Sequence, residues 1–250
     1  MGILNFSRRE FIQTLSSFAV FPEIVFANHS VSEVKPLKLL FEQNKPVMYV
    51  FAGDSVTQGA LHTRGMRCYP EVFAERVRWE MRRTTDLVVN SGINGTNTSY
   101  LLEAYEWCVA QFKPDLVSVM FGINDCQENT ITPEVFEDNL ELIINKIRKD
   151  RAIPVLQTPN AIDEEGMKNM KTNSRQKLPD YVEIIRKVAK DEEVILVDNM
   201  LYWESKGLDI YKKWLDDPLH PNDKGHLEIA RLMFKAFSIF DPDAFTCSGK

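Results

Sequence analysis

The chain has 250 residues, of which 44% are hydrophobic, 26% charged and 10% aromatic. That is enough apolar material for one generous core, and modest Gly (11) and Pro (12) exclude a collagen-like, low-complexity or disordered chain. Thirty Lys and Arg against thirty-six Asp and Glu give a net charge of −6, which argues against nucleic acid as a partner, since gripping phosphates needs a basic face. No run of about 18 uncharged apolar residues suggests a membrane span. Cys68, Cys108, Cys126 and Cys247 are too few and scattered for a disulfide framework and lack C-x-x-C spacing.

The first thirty residues place Arg8 and Arg9 before an apolar, small-residue stretch from Phe11 to Val25-Phe26-Ala27. A positive start, an apolar middle and small residues at a cleavage point describe an export signal over residues 1–27, and Ser7-Arg8-Arg9-Glu10-Phe11-Ile12 resembles a bacterial twin-arginine leader. Such a leader implies a periplasmic or extracellular protein. The alternative is an amphipathic helix packed on the domain of a cytoplasmic protein. Residues 28–45 read as a polar linker.

Apolar runs and helical patterns then alternate. Met48–Ala52, ending at Gly53, has the continuous apolar character of a strand buried on both faces. An amphipathic helix is expected over Tyr69–Arg83, a strand at Leu87–Val89, a helix over Ser99–Phe112 and a strand at Leu116–Phe121. Thr132 caps a helix with Pro133 at its first position, running to about Lys149. A strand at Pro154–Thr158, a helix over Lys177–Lys190, a strand at Val194–Val197 and a helix capped by Asn222 and running to about Phe237 complete the pattern. Five strands alternating with helices predict one α/β domain over residues 46–240, with a parallel sheet covered on both faces and a tail at 241–250.

In such a sheet, ligands bind beyond the carboxyl ends of the strands. Those ends carry Gly53-Asp54-Ser55, then Asn90-Ser91-Gly92-Ile93-Asn94-Gly95, then Gly122-Ile123-Asn124-Asp125, and the closing loop carries Asp217-Pro218-Leu219-His220. A serine hydroxyl becomes a nucleophile when a base takes its proton and a third group holds the base's tautomer. His220 can be that base and Asp217 its orienting acid, their spacing of three placing both on one face of a turn. The Ser55 N–H, the Gly95 N–H and the Asn124 amide are candidate donors to an oxyanion, with Gly92 competing for the Gly95 role. A rival reading gathers Asp217, His220, Asp223 and His226 around a metal-bound water, although the helix after Asn222 should carry His226 away and no H-E-x-x-H spacing exists.

These four segments, in order, resemble the motifs of an SGNH hydrolase of the GDSL esterase/lipase superfamily over roughly residues 46–238, with Val56 standing where the family name has Leu. The resemblance implies a three-layer α/β/α sandwich with a five-stranded parallel sheet of flavodoxin-like order, no metal and no cofactor. It implies a Ser55, Asp217, His220 triad and an oxyanion hole from Ser55, Gly95 and Asn124. It also implies hydrolysis of short esters, and export, a small domain and no evident apolar lid favour O-acetyl groups on carbohydrate as the substrate. Lysophospholipase or thioesterase activity is one alternative, and a silent carbohydrate-binding protein that keeps the fold is another. Oligomeric state is left open. Asp54 and Asp125 read as loop-fixing residues, Arg64 and Arg67 as substrate-facing or merely solvated, and Trp203, Trp214 and Tyr202 as core packing or a sugar-stacking rim.

Overall fold

The computed structural model describes residues 31–169 and 175–248, with side chains from Leu37 onward. The expected leader, residues 1–27, lies outside the described residues. Five parallel strands form the sheet: β1 (Met48–Gly53), β2 (Leu87–Asn90), β3 (Leu116–Met120), β4 (Ile153–Gln157) and β5 (Ile195–Val197), in the order β2-β1-β3-β4-β5. This is the flavodoxin-like order, and the direction of strand addition reverses between β1 and β3. The exits of those two strands therefore flank a crevice.

The sheet is parallel because each connection carries a helix long enough to return the chain to the same end. The helices at Tyr69–Glu75 and Asp223–Ala236 pack together, as do those at Pro133–Lys149 and Leu178–Asp191, giving the two outer layers. All five residues of β3 are buried, and Tyr49, Phe51, Tyr69, Phe73 and Phe234 interlock beneath β1 with edge-on ring contacts such as Phe51–Phe73 at 5.1 Å. Full burial of one such ring stabilises the fold by about 2–3 kcal/mol.

Several elements differ from the sequence expectation. The segment read as a polar linker holds a helix, Val31–Glu42, with Leu37 and Leu40 buried; Pro36 and the surrounding charges hide that apolar side. The buried Asp86–Arg83 pair docks the helix end, since Arg83 Nη1 donates to the carbonyls of Phe41 (3.1 Å) and Gln43 (2.7 Å). The helix expected to reach Arg83 widens into a π-helical turn at Arg76–Glu80 and stops before Arg82, which takes the left-handed φ of 59°. Ser99–Phe112 is broken into Thr98–Glu103, Tyr105–Cys108 and a 3-10 turn, the middle piece aimed so that Tyr105 donates to Asp150 (2.9 Å). In the stretch read as a tail, Phe245–Ser248 forms a helical turn, and Thr246 N–H donates to Glu80 (2.9 Å).

Candidate active site

Ser55 follows β1 directly. Asp54 caps the short helix Ser55–Gln58 by accepting the Val56 N–H (2.9 Å), so the Ser55 hydroxyl is presented at the first turn above the sheet. The Asp54 carboxyl is buried, and burial pushes it up to about 7, with the nearby Asp125 adding to the rise and the Val56 N–H opposing it. Beneath the turn, Thr57 and Tyr69 share a hydrogen bond (2.9 Å), and Gln157 donates to Tyr69 (3.3 Å) and Ser118 (2.8 Å), tying it to β3 and β4.

The exit of β2 lies against this turn. A side chain at Gly92 would meet Gln58 N at 2.5 Å, so the close approach requires glycine there. The Gly92 N–H is already taken by Asn90 Oδ1 (3.0 Å). Gly95 adopts the left-handed φ of 76°, and open space surrounds the position a Cβ would fill. Its N–H meets no acceptor among the described residues. Of the two glycines, Gly95 therefore has the free donor.

Asn124 follows β3, and its side-chain amide donates one hydrogen to Thr96 O (2.8 Å), leaving a second to donate. Asp125 fixes this turn: its carboxylate accepts from Thr98 N (2.9 Å), Thr98 Oγ1 (2.5 Å) and Gly122 N (3.0 Å), linking the β3 exit to the Thr98–Glu103 helix. The loop-fixing expectation for Asp54 and Asp125 agrees with these bonds.

No strand carries the last two residues. The loop containing them is closed by a bridge between Leu215 and Pro221, and Asn222 both accepts the Lys224 and Gly225 N–H groups and donates to the carbonyls of Lys213 and Leu215. From below, the Asp163 N–H donates to Pro218 O (2.8 Å) and the Asn160 amide to Leu219 O (3.0 Å). Within the loop, Asp217 Oδ1 accepts the Leu219 N–H (2.8 Å) and the His220 N–H (2.7 Å), while Oδ2 lies 2.9 Å from His220 Nδ1. Burial would raise the Asp217 carboxyl, but the His220 ring and these two backbone donors outweigh it and hold it below the usual carboxylate range. A carboxylate only accepts, so His220 Nδ1 carries the proton and Nε2 offers a lone pair. That lone pair faces Ser55 Oγ at 3.0 Å. The line Asp217–His220–Ser55 can thus remove a proton from the serine while the carboxylate stabilises the resulting imidazolium.

One neighbour was not singled out from the sequence. His62, in the loop after Ser55, stacks on His220 with ring centroids 3.8 Å apart and planes within 2°. Its Nδ1 lies 3.3 Å from Asp216 Oδ2 and 3.6 Å from Asp217 Oδ2. Nothing local could have revealed this, because 154 residues separate His62 from Asp216. Arg64 donates to Asp216 Oδ1 (2.8 Å) and Arg67 pairs with Glu75, so both arginines read as substrate-facing or solvated are engaged by protein carboxylates.

His62, Asp217 and His220 are the described groups that come nearest to a metal-ligand set, their donor atoms within 4.8 Å of one another. Stacked imidazoles direct their lone pairs along parallel planes, which do not converge on one ion. The cluster of Asp217, His220, Asp223 and His226 does not assemble: His226 is 1% exposed, and its Nδ1 accepts the Tyr69 N–H (3.3 Å). Burial holds the His226 ring down at about 3, with His220 and His62 contributing. Trp203 is fully buried and Trp214 packs on it edge-on (5.1 Å), which makes the aromatic group core rather than rim. All four cysteines are free and buried.

Residues 51–227 match the model of the GDSL-like Lipase/Acylhydrolase family. The chain belongs to this family. It is therefore a carboxylic ester hydrolase, and the sheet order and layers described above are those of the family's SGNH fold. Among curated relatives, an acetylxylan esterase of Geobacillus stearothermophilus is 27% identical over 158 residues, covering 59% of this chain and 70% of its own length. An isoamyl acetate-hydrolyzing esterase of Saccharomyces cerevisiae is 22% identical over 209 residues, covering 78% of this chain and 87% of its own. Among solved structures, the acetyl xylan esterase AlAXEase superposes with a TM-score of 0.64 at 25% identity, covering 76% of this chain and 99% of that one. Among the described residues, no helix is long and apolar enough to cross a membrane.

Proposed function

We propose that the protein is an exported serine esterase that removes O-acetyl groups from carbohydrate. The observation that carries the reading is the alignment of Ser55 Oγ, His220 and Asp217 at 3.0 and 2.9 Å, beside two turns with unspent N–H donors. Ser55 Oγ attacks the ester carbonyl as His220 Nε2 takes its proton. The oxyanion is received by the Ser55 N–H, the Gly95 N–H and the second Asn124 amide hydrogen. As the tetrahedral adduct collapses, His220 returns the proton to the departing sugar hydroxyl, leaving acetyl on Ser55. Water, deprotonated by His220, then releases acetate.

The acetyl preference draws on the named activities of the two curated esterase relatives, and the carbohydrate part on the acetylxylan esterases. Export draws on the Arg8-Arg9 leader pattern. A second reading, a lysophospholipase or thioesterase, draws on Leu61 (76% exposed) and Met66 (58% exposed), two exposed apolar side chains on the loop after Ser55. Acetate release from acetylated xylo-oligosaccharides, run beside p-nitrophenyl esters of rising chain length, palmitoyl-CoA and a lysophospholipid, tests the choice. Preference for acetylated sugar is expected. Faster cleavage of long acyl chains would overturn the acetyl reading, and a Ser55→Ala variant as active as wild type would overturn the mechanism.

A further inference from the structure

We propose that His62 is a positioning residue: its imidazole holds the His220 ring in the plane that joins Ser55 to Asp217. The inference rests on the reading of His220 as the base. An imidazole anchored by one Nδ1–H bond is free to roll about that bond, and a roll carries Nε2 off the serine. His62 blocks the roll by covering one face of His220 in full van der Waals contact, at 3.8 Å and 2°.

His62 is itself held. Its Nδ1–H donates to Asp216 Oδ2 (3.3 Å), because only the ring nitrogen can supply the proton. Asp216 Oδ1 accepts from Arg64 Nε (2.8 Å), and Arg64 Nη2 lies 2.6 Å from the same oxygen. The Asp216 N–H donates to His220 O (2.9 Å), so the carboxylate that anchors His62 belongs to the same turn as His220. The loop after Ser55 and the loop carrying the base are thereby clasped through one residue, and the nucleophile's own segment steadies its base.

The test measures kcat, KM and thermal unfolding for His62→Ala, His62→Phe and Asp216→Asn, with Ser55→Ala and His220→Ala as controls. Loss of the flat face in His62→Ala should lower kcat about 10- to 100-fold, the scale of a small misplacement of a reacting group, with KM within about twofold. Phe keeps the face without the Nδ1–H, so His62→Phe should recover kcat to within about fivefold of wild type. Asp216→Asn changes no volume and should lie between them, which keeps the proposal testable if His62→Ala fails to fold. Wild-type kcat in a folded His62→Ala, or equal losses in the Phe and Ala variants, would overturn the inference. Full activity in His220→Ala would instead overturn the base assignment beneath it.

Discussion

The candidate site has two halves that are mounted differently. Ser55, Gly95 and Asn124 stand on turns that leave adjacent strands, so the sheet register fixes their spacing. Asp217 and His220 stand on a loop that no strand supports, held by the Leu215–Pro221 bridge, by Asn160 and Asn222, and by the stacked His62. The contrast teaches where each half is vulnerable. In the strand-end half, the proposed chemistry rests on single atoms that would reach substrate. In the loop half it rests on many modest hydrogen bonds, each contributing about 1 kcal/mol, so damage there should be graded.

The sharpest break of the strand-end half is Ser55→Ala, which should lower kcat by at least about 10⁴-fold at unchanged melting temperature, read by p-nitrophenyl acetate hydrolysis. Under the proposed mechanism, Asn124→Ala should cost about 10²- to 10³-fold in kcat with little change in KM, because the amide hydrogen not spent on Thr96 O serves the oxyanion there rather than the bound ester. In the loop half, Asn222→Ala removes a helix cap as well as two bonds to the loop. It should lower stability by about 1–2 kcal/mol in urea unfolding, with a smaller loss of kcat than Asn124→Ala.

Two buried groups under the site give opposite pH signatures. His226 is depressed from 6.5 to about 3, so the unfolded chain binds a proton that the folded chain refuses. Its contribution is fully present above about pH 6.5 and is lost as pH falls toward 3, and a His226→Gln variant should be less acid-sensitive than wild type in urea midpoints. Asp54 is raised from 3.8 to about 7, so the folded chain holds a proton that the unfolded chain releases. Its contribution is fully present below about pH 3.8 and is lost as pH rises through 7. Asp54→Asn, which keeps a capping acceptor, should therefore gain stability over wild type at pH 8, on the order of 1–4 kcal/mol, and the gain should vanish near pH 4.

The same division governs what the sequence disclosed. The continuous apolar run at Met48–Ala52 and the largely apolar Leu116–Phe121 mark strands buried on both faces, and chemical residues immediately after such runs point to the ends where ligands bind. The Asp217–His220 spacing also declares itself, because its three-residue turn is local. His62 does not, since its meaning comes from a partner loop far along the chain. The Val31–Glu42 helix was concealed by Pro36 and polar neighbours, while its apolar side, Leu37 and Leu40, appears only once there is a domain to pack against. The family resemblance already favoured Gly95 over Gly92; what the sequence could not show is that the Asn90 side chain occupies the Gly92 N–H.

The central claim is that Ser55 is a nucleophile activated by His220. Intact mass of the protein after reaction with a fluorophosphonate tests it most directly. One adduct per wild-type chain is expected, located on the peptide containing Ser55, absent from Ser55→Ala and formed far more slowly in His220→Ala. An unlabelled wild-type protein that still hydrolyses esters, or equal labelling of Ser55→Ala, would contradict it.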